Sequence, residues 1–432
     1  MTRTLWEYNL LDCVTTAQVY RKINTELETL GVSAFYHTMV HPLVLAVKRM
    51  GARGMWLDRD KLEAMRTEYE IKIGKFTDAI QLIVGKADFN PNSTADIRNY
   101  IYNDLGIAIV GRTATGAASV DEATLLKLGV KHDHAFFKAL LGYRKVVKYY
   151  GTYLKRIYIA PDSRVRSRFL VHGTATGRLS SREPNFQNIP YDLRSIYGAN
   201  EGRLLIECDS SQLELRLIAY ASGCKQLIQG FEAGEDVHRL NAMAIYGLPR
   251  EAVGKEERDF AKRFVYCQNY GGGPKKISEI LFADAGITKS PRECEEMLYR
   301  LRAAYPEIWA WREKVLAETK RTKIIRNEYG RVRITFARDE ALSGIAYNTP
   351  IQSTAADYIN SVFLELDGLG MCLVNQVHDS ILIEVTREQL HDTVLKVKTA
   401  FERPQRLWGR LVVLPAEIKV GTRWGLLDPW QE

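Results

Sequence analysis

The chain has 432 residues, 46% hydrophobic and 26% charged, a balance that supports a large buried core and excludes a disordered or fibrous protein. Lys and Arg outnumber Asp and Glu by 60 to 52, so a polyanionic partner is permitted but not required. Six scattered cysteines without a CxxC pair point to reduced thiols and away from zinc, and no apolar run approaches the ~18 residues of a spanning helix. The N-terminal MTRTLWEYN has no signal-peptide core, so no membrane association and a cytoplasmic location are expected.

Residues 1–30 read as a helix, with Leu10, Leu11, Val14, Ala17 and Val19 at roughly helical spacing. Residues 61–84 form a long amphipathic pattern, and 92–106 begins at a cap and stops at Gly106. Ser119-Val-Asp-Glu122 has the form of a capping box, after a loop at 111–119 expected to be a mobile tip. The helix at 136–158 carries Arg144, Lys145, Lys148, Lys155 and Arg156 among tyrosines, either a solvated basic face or a phosphate contact. From 160 the texture mixes extended runs (165–173, 203–209, 372–385, 411–420) with helices over 225–320, which makes the chain α+β with subdomains.

Four stretches carry chemistry. LLIECDSSQLELR (204–216) delivers Asp209 at a strand end just before a helix, with Ser210 or Ser211 as candidate cap. Asp209 itself is the competing cap. Asp379 repeats the arrangement in the hairpin NQVHDSILIEV (375–385), between two β-rich runs. Two carboxylates brought together need a cation between them. Mg²⁺ suits such a pair, because it accepts one or two protein carboxylates and completes its shell with water and phosphate oxygens.

In the second stretch Arg258, Lys262, Tyr266 and Tyr270 recur every fourth residue, two cations then two rings along one helical side, before Gly271-Gly-Gly273. The cations suit phosphates and the rings a sugar or base; a solvated basic face is the plain alternative. The third, GTATGRLSSREPNFQNIP (173–190), reads as a surface loop, yet Arg178, Asn185, Gln187 and Asn188 could donate to minor-groove acceptors. The fourth, YNTPIQSTAAD (347–357), reads as a helix starting after Pro350 and bearing Gln352, with Asn348 just before.

In this order the four stretches resemble family A DNA polymerases of the bacterial polymerase I type. Motif A of that family, D-Y-S-Q-x-E-L-R, stands here as Asp209-Ser-Ser-Gln-Leu-Glu-Leu-Arg216, and motif C, V-H-D-E, as Val377-His378-Asp379-Ser380. Motif B, R-x3-K-x3-[FY]-G-x2-Y-G, is matched by Arg258, Lys262, Tyr266, Tyr270 and Gly271, with Cys267 in place of the usual glycine. TATGRLSS (174–181) and PNxQNIP (184–190) are further signatures, and the resemblance spans about residues 41–432.

The resemblance implies a right-hand polymerase fold with an antiparallel-sheet palm, helical fingers and a helical thumb. It divides the chain into 41–158 (the approach to the palm and the thumb), 159–224 (palm), 225–340 (fingers) and 341–432 (palm). It implies template-directed addition of deoxynucleotides to a primer 3′-hydroxyl, with two Mg²⁺ ions, for which Mn²⁺ may substitute, on Asp209, Asp379 and the Ser210 carbonyl. Arg258, Lys262 and His238 would hold the triphosphate, and Lys262 would donate a proton to pyrophosphate. Tyr266 would lie by the sugar and Tyr270 by the template pocket. Glu214, with Gln212 nearby, would exclude a ribose 2′-hydroxyl. Arg178, Asn188, Asn348, Gln352 and His378 would touch the primer–template minor groove, and the basic helix at 136–158 the duplex phosphates.

Residues 1–40 resemble the end of a 3′–5′ exonuclease domain through Tyr8-Asn-Leu-Leu-Asp12. Asp12 alone cannot hold two metals, so no proofreading is expected from this sequence, and a separate exonuclease polypeptide docking there is an expected partner. Two rival functions remain: a catalytically dead polymerase-fold accessory subunit, suggested by Ser380 in place of the motif C glutamate, and a single-subunit RNA polymerase, opposed by Glu214. Glu384 shares a strand face with Ser380 by period two, but four residues on.

Overall fold

The structure, a computed structural model, describes residues 2–269, 271–285, 287 and 289–431. The chain opens with α1 (Thr2–Thr29), as the sequence pattern predicts. Nearly all of α1 is exposed, including Leu5, Trp6, Leu10 and Leu11. After two short helical turns (Ser33–Phe35 and Tyr36–Val40), the helix His41–Arg53 turns its Leu43, Ala46, Val47 and Met50 into the main core.

A helical lobe follows. Helix α2 (Arg59–Val84) is capped by Asp58, which accepts from the Lys61 amide, and ends at left-handed Gly85. It packs along α3 (Ala135–Tyr149). The lobe has its own core of Ile80, Phe89, Ile97, Phe136, Phe137 and Leu140, separate from the core of the sheet. The capping-box expectation is corrected here: Asp121 caps the helix Glu122–His132, accepting from the Thr124 amide at 2.8 Å. Ser119 instead accepts from the Asp121 amide, so its oxygen is spent one turn too early to reach the helix. Loop 111–119 closes as a tight turn bridged at Arg112 and Ala118. Arg144 leaves the basic face, because its guanidinium donates to the Val120 carbonyl at 2.7 Å.

The central sheet contains β1 (Arg203–Ser210), after which the chain turns sharply into α4 (Leu213–Ser222). A second helical lobe follows and includes α5 (Val237–Tyr246) and α6 (Lys255–Asn269). The chain returns through α7 (Asp339–Gly368), β2 (Leu373–Val377), β3 (Ser380–Thr386), β4 (Ala416–Gly421) and β5 (Asp428–Pro429). The sheet order is β5-β4-β1-β3-β2, and every adjacent pair is antiparallel. The architecture is therefore α+β with helical lobes around an antiparallel sheet.

Two sequence expectations change. The run 411–420 splits into Arg410–Val412, which pairs with Gln405–Leu407, and β4. Pro415 lies at the break, where it has no amide to give and its carbonyl accepts from the Ser211 amide. Helix α7 does not start after Pro350 but runs through it. A proline in mid-helix forfeits a backbone bond. Burial along the helix, from Leu342 to Leu366, offsets that loss, and α7 is further pinned by buried Asp357. The Asp357 carboxylate takes both ends of the Arg331 guanidinium, at 2.8 and 2.7 Å, and the Asn327 amide at 2.7 Å. Arg331 also lies against Gly177 (φ +84), where a Cβ would clash with the guanidinium at 2.4 Å, so the TATGR loop requires glycine there.

Candidate active site

Register brings the two aspartates together. Ser380 lies opposite Asp209 across the β1–β3 pair, and the Ser210 amide donates to the Asp379 carbonyl at 3.3 Å. The β2–β3 hairpin turns through left-handed His378 (φ 52). Gln187 brackets that turn: its amide nitrogen donates to the Gln376 carbonyl, at 2.5 Å, and its oxygen accepts from the His378 amide, at 3.4 Å. At the end of β1, Gln212 adopts φ 53 and occupies the cap position of α4 without a side-chain capping bond. None of Asp209, Ser210 and Ser211 caps the helix, which corrects both cap readings. The turn comes too late for them, and Asp209 keeps its carboxylate.

The strand ends open into a cavity of about 530 Å³. It is lined by Asp209, Asp379, Ser210, Gln212 and Glu214, by His238, Arg258, Lys262 and Tyr266 from α5 and α6, and by Arg178, His378 and Glu417. Residues far apart in sequence thus face one space. Tyr270 lies outside the described residues.

The electrostatics are set by burial and by like charges facing one another. Burial, then the Asp379, Glu207 and Glu417 charges, push the Asp209 carboxyl up to about 7. Burial pushes Asp379 up to about 6 against the pull of Arg178. Its Oδ1 accepts no hydrogen bond, and the Arg178 guanidinium stands 3.6 Å away. Arg178 is held instead by Glu214, which is 8% exposed. Sequence reasoning named these two residues for different tasks; the fold makes them an ion pair.

Asp236 caps α5 through the His238 and Arg239 amides and also binds the Arg258 guanidinium. Asp236 was not foreseen; its Asp-x-His spacing is an ordinary capping pattern. His238 is buried, and burial, then Lys262 and Arg258, lower it to about 4, so it is neutral at pH 7. Tyr266 lies beside it, ring centroids 6.2 Å apart. Burial, then Glu214, raises the Tyr266 hydroxyl, so it stays protonated.

Of the proposed groove contacts, Asn188 is exposed and His378 lines the cavity. Asn348 and Gln352 are half-buried on α7, beside Glu214. One expectation fails. Gln187 is 8% exposed and has both ends of its amide spent on the hairpin. Asn185 caps the short turn Phe186–Asn188, accepting from the Gln187 amide, and its oxygen also bonds Ser181. Glu384 lies at the far end of β3, bound to Arg164 at 2.6 Å.

Among the described residues no three acidic, imidazole or thiol groups form a ready metal cage. The donor set instead suits an ion that keeps water and substrate oxygens: two carboxylates at neighbouring strand ends, one with a buried oxygen that accepts no hydrogen bond.

The sequence model for DNA polymerase family A matches residues 59–426. The chain is 31% identical over 411 residues to the thermostable DNA polymerase I of Thermus aquaticus, which covers 90% of this chain and 48% of that protein. It is 28% identical over 440 residues to DNA polymerase I of Treponema pallidum, covering 97% of this chain and 43% of that one. The chain therefore spans about half the length of the curated relatives it matches. Among solved structures it is similar to the POL domain of Pol1 from M. smegmatis in complex with DNA primer-template and dNTP. That likeness has a TM-score of 0.83 and 25% identity, and covers 93% of this chain and 73% of the other. No single described helix is long and apolar enough to cross a membrane.

Proposed function

The chain belongs to DNA polymerase family A, and from that premise we propose that it is a template-directed DNA polymerase extending a primer 3′-hydroxyl with deoxynucleotides. The observation carrying this reading is the delivery of Asp209 and Asp379, both raised in pKa, into one cavity with Arg258 and Lys262. In the hand-shaped reading residues 41–158 are the approach to the palm and the thumb, 159–224 and 341–432 the palm, and 225–340 the fingers. The first lobe has a core of its own, which supports reading it as a distinct body.

Asp209, Asp379 and the Ser210 carbonyl would hold two divalent ions, Mg²⁺ or Mn²⁺, whose chemistry when bound would be to lower the pKa of the primer hydroxyl and to neutralise charge on the transferring phosphoryl group. Arg258 and Lys262 would grip the triphosphate, which requires Arg258 to exchange Asp236 for phosphate oxygens. Lys262 would protonate the departing pyrophosphate. His238, being neutral, would contribute a hydrogen bond and no charge. Glu214, buried and fixed by Arg178, would leave no room for a 2′-hydroxyl beside Tyr266. Arg178, Asn188, His378, Asn348 and Gln352 would contact the minor groove.

Primer extension with Mg²⁺, comparing parent with Asp379→Asn, tests the reading. No extension by the parent would leave the accessory-subunit alternative, and equal use of ribonucleotides would favour the RNA polymerase one. A separate exonuclease polypeptide has one observation in its favour, the exposed apolar residues of α1. Removal of a mismatched primer end by this chain alone would sink that idea.

A further inference from the structure

Three adjacent strands place one residue each in a row through the metal site. Across β1–β3 the partner of Asp209 is Ser380, and across β1–β4 it is Glu417. Directly opposed residues of antiparallel strands share a sheet face, with Cβ atoms about 5 Å apart. The row therefore reads Ser380, Asp209, Glu417. Its two ends differ sharply. Ser380 is 6% exposed, and its hydroxyl donates to the Val377 carbonyl at 3.1 Å, inside the turn. Glu417 is exposed, lines the same cavity as Asp209 and Asp379, and makes no hydrogen bond or ion pair among the described residues. Its charge is felt by Asp209, together with those of Glu207 and Lys419, and by Arg216.

Motif C of the family carries a glutamate where this chain has Ser380, so the row has lost an acidic group on one side of Asp209 and holds one on the other. Glu384, the other acid on β3, cannot fill the gap, since Arg164 and the Asn200 amide engage it at the opposite end of the strand. We propose that Glu417 is the third acidic group of the metal site, acting from β4 in place of the missing motif C glutamate on β3. No three described ligand groups stand close enough to grip one ion directly. Glu417 therefore acts as a positioning residue, accepting hydrogen bonds from water on the ion and adding to the field that draws the cation in.

This inference rests on the polymerase reading but has a separate test. Mn²⁺ binding, followed by loss of the free-ion electron paramagnetic resonance signal, is measured for the parent and Glu417→Gln on a dideoxy-terminated primer–template. The expected result is about tenfold weaker Mn²⁺ binding, the scale of a lost outer-sphere partner. Primer–template affinity in metal-free buffer serves as the folding control and should not change. Adding Ser380→Glu to Glu417→Gln should recover the Mn²⁺ affinity. Parent-like binding by Glu417→Gln overturns the proposal, and a loss that Ser380→Glu does not reverse overturns the exchange between strands. Absence of primer extension by the parent would count against the polymerase reading while leaving the Mn²⁺ comparison decisive for Glu417.

Discussion

Strand β3 has acidic groups at both ends, and the two ends treat them oppositely. Glu384 is 2% exposed and fully engaged: Arg164 binds it at 2.6 Å, the Asn200 amide at 3.3 Å, and Arg203 stands 4.0 Å away. At the other end Asp379 keeps an oxygen without a hydrogen bond and faces Asp209 with only a shared arginine nearby. The first carboxylate is paired with cations supplied by the fold. The second pair has its proton affinity raised by burial and, at Asp209, by neighbouring acidic charges. One strand thus separates a carboxylate paired within the fold from the carboxylate that faces Asp209 across the cavity.

The sharpest way to break that contrast is to neutralise each end in turn. Asp379→Asn should reduce primer extension by at least about a thousandfold, the several kcal/mol expected of a lost metal ligand. It should leave thermal stability unchanged or raised, because no ion pair of comparable quality is lost. Glu384→Gln should do the reverse. It strands a buried arginine and should cost about 3 kcal/mol in chemical denaturation, while extension by the folded fraction persists. Swapped outcomes would overturn the division.

The same contrast has a pH signature. The folded pKa values of Asp209 and Asp379, about 7 and 6, lie above the unfolded carboxylate value. In that window the native state binds more protons than the unfolded chain, so their contribution to stability falls as pH rises from about 4 to 7. Denaturation in chelator should show this decline, Asp209→Asn should flatten it, and added Mg²⁺ should oppose it. A metal-free stability that rises through this range in the parent, and does so equally in Asp209→Asn, would contradict the assignment.

What the sequence could reveal divides along physical lines. Asp209, Asp379 and the Arg258, Lys262 and Tyr266 stripe of α6 were legible because each lies in a local pattern of strand end, hairpin or helix period. Glu417 was not. The alternation Ala-Glu-Ile-Lys sets Glu417 and Lys419 on one face, but only strand register says that this face meets Asp209. Gln187 was misread because an amide side chain looks the same in sequence whether it donates outward or braces a turn. The course of α7 through Pro350 was hidden because burial, a tertiary quantity, overrides the local stop signal. The α+β class and the sheet–helix alternation followed from hydrophobic period alone, whereas the strand order did not.

A smaller effect probes the wall of the site. Tyr266 lies on α6 between His238 and the buried Glu214, where its hydroxyl stays protonated. Where the family has phenylalanine here, the pocket lacks that hydroxyl, so Tyr266 is expected to fill the place of a missing sugar 3′-hydroxyl and permit dideoxynucleotides. Tyr266→Phe should raise discrimination against them by at least about tenfold, or ~1.4 kcal/mol. The check is the ratio of kcat/KM for deoxy and dideoxy substrates. An unchanged ratio would show that the selectivity lies elsewhere in the wall.

The smallest expected effect concerns the first helical lobe, where Arg144 and the lysines beside it part company. Arg144 is tied to the Val120 carbonyl and partly desolvated, so it belongs with Glu384 among groups spent on structure. Lys145 instead lies over the Tyr149 ring, 5.6 Å from its centroid, and has no ion pair among the described residues. If the lobe grips duplex phosphates, Lys145→Ala should weaken primer–template binding evenly across sequences. It should also reduce the slope of log affinity against log salt by about one. Arg144→Ala should lower stability, because the orphaned carbonyl loses its donor, and should leave the salt slope intact in the folded protein. Equal slopes for the parent and Lys145→Ala would return this helix to the plain reading of a solvated basic face.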